Sequence, residues 1–133
     1  MTEAELLAQP ADDYMNAEQQ AFFLDLLLRQ REALQVRIAD ELAVLREQEP
    51  SSDPADVSSA EEQRQWQLRM LEREKRLLDK IDHALNAMTR GEYGWCSETG
   101  EPIGLQRLLL RPTTTLSIEA KERQEQREKH TRP

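Results

Sequence analysis

The sequence has little of what a disulfide-stabilised domain or a thick globular core requires. Its 133 residues include one cysteine, four glycines and only 5% aromatics, whereas 33% of the residues are charged. One cysteine excludes an intramolecular disulfide and is compatible with a reducing compartment. This composition is typical of long, solvated helices.

The chain also lacks long apolar runs and an excess of positive charge. No stretch approaches the roughly 20 apolar residues of a membrane span, and the first 16 residues contain no apolar segment of signal-peptide length. The net charge is −8: residues 1–94 carry 11 Lys/Arg against 20 Asp/Glu, and residues 95–133 carry 7 against 6. Binding nucleic acid through its phosphates requires clustered cations, which argues against direct DNA binding. We expect a cytoplasmic protein.

Two segments have the apolar spacing of long helices. In the first, Asn16 resembles an N-cap with Gln19 as its capping-box partner, and the helix is predicted to run to about Glu47. Its apolar seam is formed by Leu24, Leu27, Leu34, Ile38 and Leu45, with Leu28 and Leu42 beside it. Spacings of three, four and seven residues are typical of a coiled coil.

The second helix is predicted to begin near Ser58, with Glu61 as its capping-box partner, and to end at about Thr89 because Gly91 follows. Its seam is formed by Leu71, Leu78, Ile81, Leu85 and Met88, with Leu77 alongside. The connecting segment EQEPSSDPADVSS contains two prolines and predicts a turn. Two such helices predict an antiparallel hairpin, with an arm of roughly 45 Å at about 1.5 Å per residue.

The predicted fold is therefore mainly α: a long antiparallel coiled-coil hairpin, a small globular head and a C-terminal helix. Residues 1–32 are expected to contribute to the head, residues 33–90 to form the hairpin with its tip near 50–59, and residues 91–133 to complete the head. SETGEP predicts a short hairpin or knuckle turn, and Ser117 or Thr115 is a candidate cap for the last helix. The predicted head core is completed by the helix ends at residues 16–28 and 81–90, and its own members are Trp95, Ile103, Leu105, Leu108, Leu110, Leu116 and Ile118.

Four segments, taken in order, resemble one family. They are DPADVS at the hairpin tip, EREKRLLDKID on the returning helix, GEYGWC entering the head and IGLQRLLLRPTTTLSIEAK leaving it. Over residues 14–130 the chain resembles the DksA family of bacterial transcription factors, which act on RNA polymerase. The resemblance implies a coiled-coil hairpin joined to a head that binds zinc through C-x2-C-x17-C-x2-C.

The zinc motif is degenerate in this chain. Its four positions are occupied by Cys96, Thr99, Ser117 and Ala120. Structural zinc requires four thiolate or imidazole ligands, and neither histidine has knuckle spacing to the cysteine. We therefore expect no structural zinc and a zinc-independent head held by apolar contacts. Our hypothesis is that such a head keeps the fold working when zinc is scarce. Cys96 is expected to be a buried small residue, with redox sensing as the alternative.

The resemblance also assigns a role to the acidic tip. In the family the hairpin enters the secondary channel of RNA polymerase, and two acids in D-x-x-D-x-A act near the catalytic centre. Asp53 and Asp56 match this motif, whereas Ser58 stands in place of its alanine. From residue types alone, Asp and Pro would be read as ordinary turn residues.

A second site is implied for the alarmone guanosine tetraphosphate, at an interface shared with polymerase. The matching residues are Leu77, Lys80, Arg111 and Lys121, and the stem positions Arg69 and Arg73 are candidates to contact polymerase. The implied function is a non-enzymatic regulator that destabilises promoter open complexes in the stringent response. We expect a monomer, because the hairpin satisfies its own apolar seam, with recruitment of a partner by the seam as the alternative. By residue type alone, each cation would be a surface charge.

Two other classes of function remain open from the sequence. The hairpin could be a coiled-coil adaptor or oligomerisation module, in which the tip acids would be incidental. A weaker alternative is an RNA-cleavage factor whose acids recruit magnesium, although no nucleophile or base accompanies them. Trp95 is predicted to be core, and His83 to lie on a helix surface. Trp66 is expected to pack across the hairpin, with contact to the channel wall as the alternative.

Overall fold

The structure, a computed structural model, describes residues 1–48 and 53–131. Within these ranges there are five α-helices, and the only β pairing is an isolated bridge between Trp95 and Pro102. The helices are α1 Glu3–Leu7, α2 Ala17–Glu47, α3 Pro54–Thr89, α4 Leu105–Leu110 and α5 Ile118–Thr131, with a 3-10 turn at Ala11–Asp13. The predicted mainly α fold with a long helical hairpin is confirmed.

The chain forms two compact units. The hairpin unit is Leu28–Asp82, and the head unit combines Met1–Leu27 with His83–Pro133.

Pairs of contacts along the hairpin unit show that α2 and α3 run antiparallel. Arg31 Nε lies 2.6 Å from Asp82 Oδ1, and at the other end Gln48 Nε2 donates to Gln67 Oε1 at 2.8 Å. The residue number on α3 falls as that on α2 rises. The buried apolar residues between the helices are Leu34, Ile38, Leu45, Leu71 and Ile81, all predicted for the seam. Leu24, also predicted there, is exposed instead.

Two acidic residues occupy seam positions that the prediction from apolar spacing did not include. Glu41 follows Ile38 by three residues and Glu74 follows Leu71 by three, so both continue the heptad pattern. Glu74 is only 6% exposed, and the Oε2 atoms of both glutamates are buried without a hydrogen-bond partner. Burial raises the pKa of Glu74 above its usual range; the adjacent Glu41 carboxyl raises it further, and Arg37 partly opposes the shift.

We expect Glu74→Gln to remove a pH dependence from the stability of the hairpin. Because folding raises this pKa above the ordinary 4.5, the folded protein holds the proton more tightly, and its stability falls as pH rises through the folded value. The free energy of unfolding of the wild type, relative to Glu74→Gln, should therefore decrease as the pH rises above 4.5. Urea unfolding followed by circular dichroism measures this. A difference that is constant with pH would contradict it.

The start of α3 differs from the prediction. The helix begins at Pro54, not near Ser58, because Asp53 supplies the cap: the Ala55 N–H donates to Asp53 Oδ1 at 3.0 Å. Proline suits this first position, since it has no N–H to satisfy and its φ is already helical. Ser58 thus lies in the second turn. Residues 49–52, which include Pro50 of the predicted turn, lie outside the described residues.

Other helix ends follow the local signals in the sequence. The Gln19 N–H donates to Asn16 Oδ1 at 2.9 Å, so Asn16 caps α2 as predicted. The Gln19 side chain, however, accepts from the Met15 N–H at 2.7 Å instead of completing the capping box. Helix α3 ends at Thr89, and Gly91 takes the left-handed φ of +71° that favours glycine at a helix end.

The head unit is closed by a knuckle turn over residues 94–103, which confirms the predicted turn. The Cys96 N–H donates to Glu101 O, and the Ile103 N–H donates to Gly94 O, both at 2.8 Å. Gly94 has a φ of +90°, and a Cβ there would lie 2.9 Å from Met15 Cγ, so a larger residue would be both strained and crowded.

The core of the head is only partly the predicted one. Ile103 and Leu108 are buried, but Leu110 is 84% exposed and Ile118 is also exposed. Trp95, predicted to be core, is 38% exposed and packs edge-on against Tyr14, with ring centroids 5.1 Å apart. The remaining buried apolar residues of the unit are Leu6, Met15, Phe23, Leu27, Ala84, Tyr93, Cys96 and Ala120. Phe23, Leu27 and Ala84 lie on the helix ends predicted to complete this core, so that part of the prediction is confirmed. Leu6, Met15 and Tyr93 were not predicted.

One tyrosine hydroxyl ties the N-terminal segment to the knuckle. Tyr14 donates to Gly94 O at 2.6 Å and accepts from the Gly104 N–H at 3.0 Å. We expect Tyr14→Phe to lower the free energy of unfolding by about 1–3 kcal/mol, because the Gly104 N–H loses its acceptor. Gly94 O keeps the Ile103 N–H as a donor. Urea unfolding is the measurement. Arg90→Gln, which breaks an exposed ion pair, should cost less than about 1 kcal/mol; equal effects would contradict the expectation.

Candidate functional site

The first turns of α3 present the predicted tip residues to solvent. Asp53, Asp56 and Ser58 are all exposed. The Asp53 carboxylate is engaged in capping the helix, whereas Asp56 lies one turn further along the helix. Carboxylates near a helix N-terminus are stabilised by the helix dipole. The two acids thus differ in their surroundings: Asp53 caps the helix, and Asp56 lies within its first turn.

The cationic stem residues share one face of α3 with half of the predicted alarmone set. Arg69, Arg73 and Lys80 are exposed, and Leu77 lies between them, also exposed. Spacings of four, four and three residues put these side chains in one row along the helix. We refer to Arg69, Arg73, Leu77 and Lys80 as the α3 stripe. The sequence indicated the polymerase-contacting stem residues and the alarmone residues as separate sets. In the structure, the stem residues and the α3 half of the alarmone set form one surface.

The other two predicted alarmone residues belong to the head unit. Arg111 is exposed and follows α4 directly, and its N–H donates to Arg107 O at 2.8 Å. Lys121 lies in α5, half-buried, with Nζ donating to Gln124 Oε1 at 3.2 Å. The predicted set is therefore divided equally between the hairpin unit and the head unit.

At the degenerate zinc positions, hydrogen bonds within the chain occupy the polar groups. Ser117 caps α5, since its Oγ accepts from the Ala120 N–H at 3.2 Å, as one of the two predicted caps. Cys96 is buried, as predicted. Burial raises the pKa of its thiol, but hydrogen bonds from the Thr99 side chain and from the N–H groups of Ser117, Thr99 and Glu98 outweigh burial and lower the pKa to about 6.

These four residues do not fit a structural zinc ion. Ala120 is fully buried and has no donor atom, and the Ser117 hydroxyl already serves as a helix cap. Thiolates and imidazoles are the ligands of structural zinc, and one thiol cannot replace four. Across residues 1–48 and 53–131, no group of three or more His, Cys, Asp or Glu residues is placed to hold a metal ion. In the same ranges, none of the helices combines the length and apolarity that crossing a membrane needs.

A helical hairpin whose second helix begins with exposed acids, together with a head built on a zinc-finger-like knuckle, defines the structural class of this protein. Two protein-family models match it: "DnaK suppressor protein DksA, N-terminal domain" over residues 19–88 and "Prokaryotic dksA/traR C4-type zinc finger" over residues 91–126. The chain belongs to the DksA family.

Individual relatives agree with this assignment. The RNA polymerase-binding transcription factor DksA of Caulobacter vibrioides is 43% identical over 124 residues, which cover 91% of this chain and 87% of the relative. The protein of the same name from Escherichia coli K12 is 33% identical over 122 residues, covering 91% and 81%. The structure of transcription factor DksA2 from Pseudomonas aeruginosa is 69% identical, with a TM-score of 0.89 over 97% of this chain and 100% of that one.

Proposed function

We propose that this protein is a non-enzymatic transcription regulator that binds RNA polymerase through its secondary channel. It inserts the acidic start of α3 near the active centre and, together with guanosine tetraphosphate, destabilises promoter open complexes. The observation that carries the proposal is the exposure of Asp53 and Asp56 at the start of a 36-residue helix, in a chain of the DksA family. Carboxylates in that position can attract a hard cation such as magnesium or a basic side chain.

We further propose that regulation does not require zinc and that the alarmone binds at the interface with polymerase. The donor chemistry at Cys96, Thr99, Ser117 and Ala120 supports the first point, since only one position offers a zinc ligand. For the second, Lys80, Arg111 and Lys121 supply cations suited to a polyphosphate. The protein acts as a cytoplasmic monomer in this proposal.

The test is the lifetime of open complexes on a ribosomal RNA promoter, formed with purified RNA polymerase. We expect the wild-type protein to shorten this lifetime, guanosine tetraphosphate to shorten it further, and a zinc chelator to leave both effects unchanged. Absence of any shortening would overturn the proposal. Shortening that the chelator abolishes would overturn only its zinc-independent part.

Lys80→Ala and Lys121→Ala should each weaken the response to guanosine tetraphosphate. Loss of one charge-assisted contact to a phosphate should raise the half-maximal alarmone concentration about tenfold or more, while the shortening without alarmone remains. Lys75→Ala is the matched control, because this exposed lysine of α3 lies outside the α3 stripe. The measurement is an alarmone titration of open-complex lifetime; identical curves for all three variants and the wild type would contradict the assignment.

A second candidate function is a coiled-coil adaptor or oligomerisation module. It is favoured by exposed apolar side chains on the hairpin unit, among them Val36, Val44 and Trp66. Where such residues form a contiguous patch, they mark an interaction surface. An adaptor would leave open-complex lifetime unchanged, so the same assay separates the two functions.

A further inference from the structure

A cavity between α2 and α3 of the hairpin unit is not explained by the tip or by the α3 stripe. Its volume is about 250 Å³, and it is lined by Asp40, Glu41, Val44, Trp66, Gln67 and Met70. One water occupies roughly 30 Å³ of liquid, so the cavity is large enough for a side chain. Trp66, predicted to pack across the hairpin, is 56% exposed and forms one wall.

The cavity combines an aromatic and aliphatic wall with acidic groups. Val44, Trp66 and Met70 supply apolar surface, and Asp40 and Glu41 supply carboxylates. Glu41 also has a second acid beside it, the buried Glu74, which does not line the cavity; burial, a hydrogen bond between the two carboxyls and their charges all raise the pKa of Glu74. A cation that enters the cavity would therefore meet the Asp40 and Glu41 carboxylates, and its hydrogen bonds to them would be charge-assisted.

We propose that this cavity receives an arginine or lysine side chain of RNA polymerase, stacked on Trp66 with its charged end toward Asp40 and Glu41. This inference rests on the proposed function and adds a second contact surface, on the hairpin itself. A cation over an indole face gains a cation–π interaction, its methylene stem can lie against Val44 and Met70, and its N–H groups can bond to the carboxylates. Arginine suits the position best, because its planar guanidinium both stacks and binds carboxylates.

Charge distinguishes this occupant from a second copy of the chain. The protein carries a net charge of −8, so self-association through an acidic cavity would bring like charges together. A purely apolar partner would bury the Asp40 and Glu41 carboxylates against hydrocarbon, which is unfavourable. A basic side chain on the partner removes this penalty.

The test is the affinity of the full-length protein for purified RNA polymerase, measured by competition against wild-type protein labelled at its N-terminus. We expect Trp66→Ala to weaken binding about tenfold and Trp66→Phe to weaken it about threefold, since phenylalanine keeps a smaller aromatic face. Asp40→Asn should weaken it about threefold or more and reduce the dependence of affinity on salt. Leu68→Ala is the matched control: this exposed leucine of α3 does not line the cavity, and its loss should change affinity less than twofold, or about 0.4 kcal/mol.

The remaining outcomes decide whether the inference, the proposed function or both are wrong. If the wild type binds polymerase and Trp66→Ala and Asp40→Asn bind as well as Leu68→Ala does, the inference is wrong while the proposed function stands. If the wild type does not bind polymerase, both are wrong. Sedimentation showing a wild-type dimer that Trp66→Ala dissociates would assign the cavity to a second copy and would also overturn the inference. Circular dichroism of every variant confirms that the hairpin has folded.

Discussion

Replacing Asp56 by asparagine should abolish the shortening of open-complex lifetime while leaving RNA polymerase binding intact. Asparagine has nearly the same shape but no charge, so only the carboxylate is removed. The helix should form normally, because its cap is Asp53 and not Asp56. An exposed substitution of this kind changes a free energy by about 0.5 kcal/mol at most, so the affinity for polymerase should stay within about twofold. The lifetime should return to that of polymerase alone.

Glu61→Gln is the matched control for Asp56→Asn. It removes one negative charge from an exposed residue of the same helix, five residues further from the tip. We expect this variant to regulate like the wild type. Asp53→Asn is less informative, because it also changes the group that caps α3. Full regulation by Asp56→Asn would show that the tip carboxylate is not the active group.

Leu108→Ala should lower the free energy of unfolding of the protein by about 3 kcal/mol. Leu108 is fully buried in the head unit, and truncating a buried leucine loses its transfer free energy and leaves a cavity. The same experiment in the presence of a zinc chelator should give an unchanged value for the wild type. The reason is that the head is held by apolar contacts and internal hydrogen bonds, and its residues do not form a zinc ligand set.

Leu110→Ala provides a control on the same helix. Leu110 is two residues away and 84% exposed, so its truncation should cost no more than about 0.5 kcal/mol. Urea unfolding followed by circular dichroism measures both variants. Similar losses for the two leucines would contradict the described core, and a chelator-dependent loss in the wild type would show that a metal contributes to the fold.

The helix ends could be predicted wherever a local hydrogen bond decides them. Asn16, Gly91 and Ser117 each act within a few residues of their own position, so their sequence neighbours are sufficient information. The start of α3 was misplaced because two candidate caps were close together in the chain. Asp53 followed by proline gives the earlier start, and this signal is at least as strong as Ser58 with Glu61.

The acidic pair in the hairpin could not be found by counting apolar residues. The predicted seam steps seven residues from Ile38 to Leu45 and from Leu71 to Leu78, and each step passes over a glutamate three residues after its start. Only the pairing of the two helices shows that Glu41 and Glu74 meet there. The same limit applies to the cavity beside them, which is made by side chains far apart in the sequence.

In the head, the prediction from apolar character alone overestimated the number of buried residues. Helix α4 has only six residues, so one face can be covered, and Leu108 and Leu110 point about 200° apart around the helix axis. Burial of one therefore exposes the other. The family and its degenerate zinc motif were recognisable because they depend on residue types at set spacings. The roles proposed for the tip and for the alarmone residues depend on polymerase, and they remain proposals.

The α3 stripe and Asp56 lie on one helix, and the helix therefore fixes the distance between them. Thirteen residues separate Asp56 from Arg69, which at about 1.5 Å per residue is a span of about 20 Å along the axis. The stripe itself continues for eleven residues to Lys80, or about 16 Å. A polymerase that engages both features must therefore present acidic or phosphate groups between about 20 and 36 Å from the point that Asp56 reaches. Inserting one heptad into each helix of the hairpin, at the level between Asp56 and Arg69, would lengthen that span by about 10 Å while keeping the apolar seam in phase.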